Sequence, residues 1–242
     1  MNSEIAEQRN IPQESTTIWS RSFVILFFSN MVFNMGMNMS NSLLSIYSSY
    51  LGATATVIGL VASSMAVSSI LLRPVSAPIM DTYNRKYLVI FAALMLAVAF
   101  WGFGIAGDIP TLIGFRLLQG CAMAFGNASC LAMVADILPR DKYNSGLGYY
   151  SLAQVACSAV GPSVGLALVD WVGYQVTYTL TSGIMILAAF LTMLIKTNFK
   201  KTKKLKFSFH NAIALETLLP VSLQFIIGLG GAGVYSFLIL FA

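Results

Sequence analysis

Residues 73–86 read RPVSAPIMDTYNRK, a short polar stretch between the apolar runs Val57–Leu72 and Tyr87–Ala106. Arg73, Arg85 and Lys86 place three cations in this one gap, while the gaps on either side, near 48–55 and 106–109, hold no Lys or Arg. Working outward, the same alternation continues along the chain. Cations return before the first run (Arg9, Arg21), at 138–145 (Arg140, Lys142) and at 196–214 (Lys196, Lys200, Lys201, Lys203, Lys204, Lys206). The gap at 170–173 is again free of them, and every Lys and Arg except Arg116 follows the rule. Short cytoplasmic loops of membrane proteins retain positive charge, so the pattern describes a chain that crosses a bilayer repeatedly. It also puts the N-terminus and the basic gaps on the cytoplasmic side of a cell (plasma) membrane.

Composition agrees. Hydrophobic residues make up 57% of the chain and charged residues 10%, against about 25% charged in a typical soluble domain. A crossing helix needs about 20 apolar residues. Seven runs qualify or nearly do: Ser22–Tyr47, Val57–Leu72, Tyr87–Ala106, Ile109–Ile137, Gly146–Val169, Tyr174–Ile195 and Leu215–Ala242. The second is short and is expected to extend both ways.

The expected fold is therefore an all-α membrane protein. A cytoplasmic tail (1–21) leads into a six-span bundle (22–195), then a basic cytoplasmic linker (196–214), then a seventh span (215–242). That span opens an incomplete second bundle, because the chain stops at Ala242 inside an apolar run. A short echo suggests that the six spans are two inverted three-helix repeats. Asp81-Thr-Tyr-Asn84-Arg85 follows the second span, and Asp170-Trp-Val-Gly173-Tyr174 follows the fifth, on the opposite membrane face.

Several function classes are set aside on the residues. The net charge of +5 gathers beside span ends, where anionic headgroups account for it; nothing resembles a nucleic-acid module. Cys121, Cys130 and Cys157 lie inside apolar runs and read as small packing residues, with no metal-ligand spacing. No cofactor is called for. Gly161-Pro-Ser163-Val-Gly165 fits a nucleophile-elbow pattern, but that chemistry needs a strand-to-helix turn and a His base. The single histidine, His210, lies in the basic linker. The chain is not read as an enzyme.

The stretch from Ala77 to Lys86 resembles the loop motif of the major facilitator superfamily, Gly, three residues, Asp, Arg, any, Gly, Arg, Arg or Lys, between spans two and three. Asp81, Arg85 and Lys86 match; Ala77, Thr82 and Asn84 depart from it. Asn84 replaces a glycine and is expected to keep the turn, since Asn tolerates a left-handed backbone. Asp81 follows a helix end, where the macrodipole disfavours an anion, so it needs a cation or another helix's N-terminus. The resemblance implies a cytoplasmic gate in which Asp81 caps a helix of the second half and Arg85 pairs with Asp136.

Arg116-Leu-Leu-Gln119-Gly120 matches a second motif of that family, in span four. Arg116, Gly120, Met123 and Asn127 share one helical face. A buried Arg costs about 2.5–3.5 kcal/mol on insertion scales unless it reaches headgroups or a wet cavity. Two polar residues on the face favour the cavity, and the resemblance implies substrate or proton handling there. In the first span, Asn30, Asn34, Asn38 and Asn41 form a stripe within about 80° of circumference. Such amides either bind substrate or join helices at near 0.6 kcal/mol per contact. In the fifth span Gly148, Cys157, Gly161-Pro162 and Gly165-Leu166 resemble the family's antiporter motif, with Cys157 and Leu166 as departures. The same residues make a small face for close helix packing.

The expected function is a secondary transporter of small organic molecules, working by alternating access as an exporter. Its partners are the bilayer, a second six-helix half and, as a candidate coupling ion, protons. No Asp or Glu lies mid-membrane in the six spans, so a proton-carrying carboxylate belongs to the other half. The alternatives are a non-transporting fragment of such a transporter and, more remotely, a six-span channel.

Overall fold

A computed structural model of the chain describes residues 18–195 together with Ser222, Leu223, Ile226 and Ile227, leaving aside the side chains of Asp81 and Arg140. The tail before residue 18, the linker 196–214 and nearly all of the seventh run lie outside these residues. Residues 18–195 belong to one compact unit.

The described chain is helical throughout. Helix α1 is Arg21–Tyr50, α2 Ala55–Thr82, α3 Arg85–Ile105 and α4 Ile109–Ile137; a 3₁₀ turn at Arg140–Lys142 leads into α5, Tyr143–Met193. All five helices are long and apolar enough to cross a membrane. Their starts are set locally. Ser20 Oγ accepts from Phe23 N at 3.2 Å to cap α1, and Asp108 Oδ1 accepts from Thr111 N at 3.0 Å to cap α4, the usual way an orphan first-turn amide is satisfied.

Helix α2 runs further than its apolar core. It passes through Pro74 and Pro78 and ends at Thr82, so most of the stretch 73–86 is helix and the connector is only Tyr83-Asn84. Membrane helices tolerate proline where neighbouring groups re-satisfy the backbone. Asn84 does not take a left-handed conformation; it sits at φ −64° and ψ 117° as the N-cap of α3, its Oδ1 accepting from Lys86 N at 3.0 Å.

At 51 residues α5 would be about 77 Å long if straight, far more than one crossing of a core about 30 Å thick. It is not straight. Gly173 has φ 77° and ψ 170°, non-helical values that glycine adopts without a Cβ penalty. The two arms, 143–172 and 174–193, fold back on each other. Gly161 in the first arm lies against Asn38 and Met39 of α1, and Met185 in the second lies against Gly36. In a straight helix Gly161 and Met185 would stand about 36 Å apart and could not touch the same turn of α1. Pro162 keeps helical dihedrals, so the bend falls at glycine and not at proline.

The ends sort by charge. Arg21, Arg85, Lys86 and Lys142 lie at one end of the bundle, with the starts of α1, α3 and α5 and the ends of α2 and α4. At the other end Tyr47 of α1 packs on Tyr174 and Tyr178 of the second arm, and its hydroxyl donates to Ala106 O at 2.7 Å.

Helix α1 packs chiefly on α5, α3 on α4 and α5, and α2 on α4. Two apolar cores result. One, towards the non-basic end, gathers Phe33, Met37, Leu44, Leu96, Phe100, Phe103 and Tyr178. The other, at the basic end, gathers Phe23, Leu26, Val89, Met133, Val134 and Tyr150. Between them α1 carries Ser29, Asn30 and Asn34, and α4 carries Asn127 and Ser129. Part of the polar set, Ser29, Asn30 and Ser129 among the buried residues, thus lies where the two cores part.

Candidate functional site

Beside that polar layer lies a cavity of about 330 Å³ lined by Asn34 of α1, Asn127 and Leu131 of α4, and Tyr150, Ser151 and Gln154 of α5. Counted from the basic ends of their helices, Asn127, Gln154 and Asn34 are about 15–20 Å deep. Its walls are amides, a hydroxyl, a phenol ring and one aliphatic chain. Such a surface can orient a small molecule by hydrogen bonds, and it is more polar than the usual ligand pocket, whose walls are mostly apolar.

Asn34 and Asn127 were legible in the sequence; Tyr150, Ser151 and Gln154 were not singled out. The signal for the last two was a polar pair three residues apart, hence on one face, within an apolar run.

Arg116 and Gln119 do not border this cavity. Arg116 is 5% exposed and Gln119 fully buried. Arg116 Nη1 donates to Asn41 Oδ1 at 2.7 Å and to Gln119 Oε1. Gln119 Nε2 in turn lies 3.4 Å from Asn41 Oδ1. Arg116 is about 16 Å along α4 from Asn127. The face of α4 expected to line one cavity is therefore divided. Arg116 is tied to α1, Gly120 is pressed against Met65 and Ser68 of α2, and Asn127 alone reaches the cavity. Arg116 Nε and the Tyr178 hydroxyl are buried without a hydrogen-bond partner.

The Asn stripe of α1 is mostly bonded to itself. Asn34 Nδ2 donates to Asn30 O at 2.9 Å and Asn30 Oδ1 at 2.7 Å, and Asn38 Nδ2 donates to Asn34 O at 2.8 Å. Asn41 makes the stripe's hydrogen bonds to another helix, and Asn34 is its member at the cavity.

At the basic end Arg85 Nη1 forms an ion pair with Asp136 Oδ1 and reaches Ala132 O at 3.4 Å. Both partners are partly solvated, at 27% and 46% side-chain exposure, so the pair is worth about 0–1 kcal/mol. Lys86 Nζ donates to Met193 O at 2.8 Å and Ile195 O at 2.7 Å. Ala77 is exposed on the last third of α2, and Asp81 is in its final turn.

The fifth-span motif also divides. Cys157 Sγ lies 3.3 Å from Met31 O, and Gly161 and Gly165 press on Asn38, Met39 and Leu43. With buried Ala153 they form the surface on which α1 lies. Pro162 is half-buried beside them, whereas Gly148 faces open space.

Comparison with known proteins returns one consistent answer. The family model described as Major Facilitator Superfamily matches residues 26–242. The multi-drug resistance efflux pump PmrA of Streptococcus pneumoniae is 30% identical over 194 residues, covering 78% of this chain and 48% of that protein. The quinolone resistance protein NorA of Staphylococcus aureus is 20% identical over 183 residues, covering 76% and 47%. Among solved structures, an inward-facing, unoccupied bacterial homolog of the human lysosomal transporter Spinster superposes with a TM-score of 0.66 at 14% identity, covering 84% of this chain and 49% of that one. The chain thus spans about half the length of the relatives it matches.

Proposed function

Because the chain belongs to the Major Facilitator Superfamily, and so is a multi-pass membrane protein, we propose that it forms the substrate-contacting first half of a secondary transporter that exports small organic molecules. The observation that carries this reading is the amide-lined cavity among α1, α4 and α5, at the mid-depth where alternating-access carriers bind their cargo. The names of the relatives, multi-drug and quinolone resistance pumps, favour export.

In this reading the bundle makes six crossings, with α5 supplying two through its break at Gly173. The six form two inverted triplets, each turning at its echo residue, Asn84 or Gly173. The basic end faces the cytoplasm, as positive loops do. Arg85, Asp136 and Asp81 form the cytoplasmic gate with Ala77, Asn84 and Lys86 around them, and a second six-helix half closes the cavity from the other side. Proton coupling uses a carboxylate of that half, because the described cavity walls carry none. Arg116 acts by holding α4 to α1 next to the path and not by lining it.

Efflux of a fluorescent dye from cells expressing the protein tests the proposal. Asn34→Ala and Gln154→Ala should each slow efflux at unchanged membrane abundance; unaltered rates in both would overturn it. A second reading, that this polypeptide does not transport alone, is favoured by its spanning half of its relatives. Reconstituting the 242-residue chain in liposomes and measuring dye flux separates the two.

A further inference from the structure

Arg85 and Lys86 are the first two residues of α3, where the helix dipole disfavours cations. Neither side chain stays on its own helix. Arg85 reaches the last turns of α4, at Ala132 O and Asp136. Lys86 reaches the end of α5, at Met193 O and Ile195 O. The final carbonyls of a helix have no intrahelical partner and carry the negative end of its dipole; Met193 O is one of these, while Ala132 O lies a turn further in and the hold on α4 rests on Asp136. Two adjacent cations, misplaced with respect to α3, are thus well placed for two neighbouring helix ends.

We propose that Arg85-Lys86 is a two-pronged clamp in which Lys86 is a positioning residue, fixing the point at which the chain leaves α5 for the basic linker 196–214. Ile195, whose carbonyl Lys86 holds, is the residue immediately before that linker, and its side chain is fully buried among Phe23, Leu138 and their neighbours. Arg85 holds α4 independently. The start of α3 is then the common anchor of α4, the end of α5 and the root of the linker, so the basic end moves as one piece.

The test is amide hydrogen exchange of the 242-residue chain in lipid nanodiscs. Lys86→Gln should raise exchange over 190–195 by about tenfold or more, the population change expected from one lost charge-assisted bond, while 132–138 stays as before. Arg85→Gln should do the reverse, and Lys86→Arg, which keeps a cationic donor, should restore protection of 190–195. No change at 190–195 in Lys86→Gln, or equal loosening of both helix ends by either variant, would overturn the clamp. Should Lys86→Gln fail to accumulate, acetylating the lysines of the folded wild type in nanodiscs decides the matter: faster exchange over 190–195 once Lys86 is neutralised supports the anchor, and unchanged exchange there overturns it.

Discussion

Arg116 of α4 and Asn41 of α1 are joined by a 2.7 Å hydrogen bond inside the bundle, and this bond moves the Arg116 cation from the solvated surface expected of it to a structural node. A guanidinium bonded to an amide on a neighbouring helix keeps its charge while avoiding lipid, the arrangement intramembrane cations generally require. Arg116→Met should therefore destabilise the protein by about 1–3 kcal/mol, the cost of leaving buried partners unsatisfied. Asn41→Leu should cost a similar amount, and the double variant less than the two together, because both remove the same bond. Unfolding in denaturant, monitored by tryptophan fluorescence, measures all three; additivity would show that the bond carries no energy.

Much of the fold was legible because its cause is local. The alternation of cations sorts loop ends without any tertiary knowledge, and it places Arg21, Arg85, Lys86 and Lys142 at one end. Gly173 was legible as a turn former after Asp170. That α2 extends beyond Val57–Leu72 in both directions was expected from the shortness of that run; its passage through Pro74 and Pro78 as far as Thr82 was not, since it depends on the tolerance of membrane helices for proline. Asn84 was legible as a turn residue, but its conformation was not: N-cap and left-handed turn use the same short amide, and the choice depends on the helix that follows. The division of α4 was hidden for a tertiary reason. A helical wheel puts Arg116, Gly120 and Asn127 on one side, yet it does not say that α1 covers the first, α2 the second and neither the third. For the same reason Ser151 and Gln154 gain meaning only once α5 lies beside Asn34 and Asn127.

Ser29 and Thr192 test whether the polar contact between α1 and the second arm of α5 is as weak as most intramembrane hydrogen bonds. Ser29 Oγ lies 2.7 Å from Thr192 Oγ1 and donates to Ala188 O at 3.0 Å. A cycle of Ser29→Ala and Thr192→Val should give a coupling energy near 0.6 kcal/mol. A value several times larger would assign this contact a share in holding the arm that packing alone is here taken to supply.

Asp108 gives a pH dependence with a definite sign. Its carboxylate accepts hydrogen bonds from Thr111, which hold its pKa below the ordinary Asp value. A depressed folded-state pKa means stability that is present above the unfolded value and is lost as pH falls through the folded one. Wild type should lose more stability than Asp108→Ser between neutral and strongly acidic pH, since serine caps without a charge. Thermal unfolding of both proteins across that range checks it; parallel curves would remove the carboxylate's role. The group is fully solvent-exposed, so the effect is small and diminishes with added salt.

Gly148 and Gly161 of the fifth-span motif should behave oppositely. A Cβ on Gly161 would stand 2.7 Å from Asn38 Cβ, whereas one on Gly148 would meet nothing within 4 Å. Gly161→Leu forces α1 and α5 apart and should cost about 1–3 kcal/mol by overpacking. Gly148→Ala should be neutral or slightly stabilising, because alanine is the better helix former by about 1 kcal/mol. Because α1 also bears Asn34, separating the helices should widen the cavity as well as weaken the fold, so Gly161→Leu should lower dye efflux further than its reduced membrane abundance explains. Efflux normalised to surface protein, measured beside Gly148→Ala, isolates that part. Equal normalised rates would mean that the small-residue face serves packing alone and that the cavity does not depend on how closely α1 lies on α5.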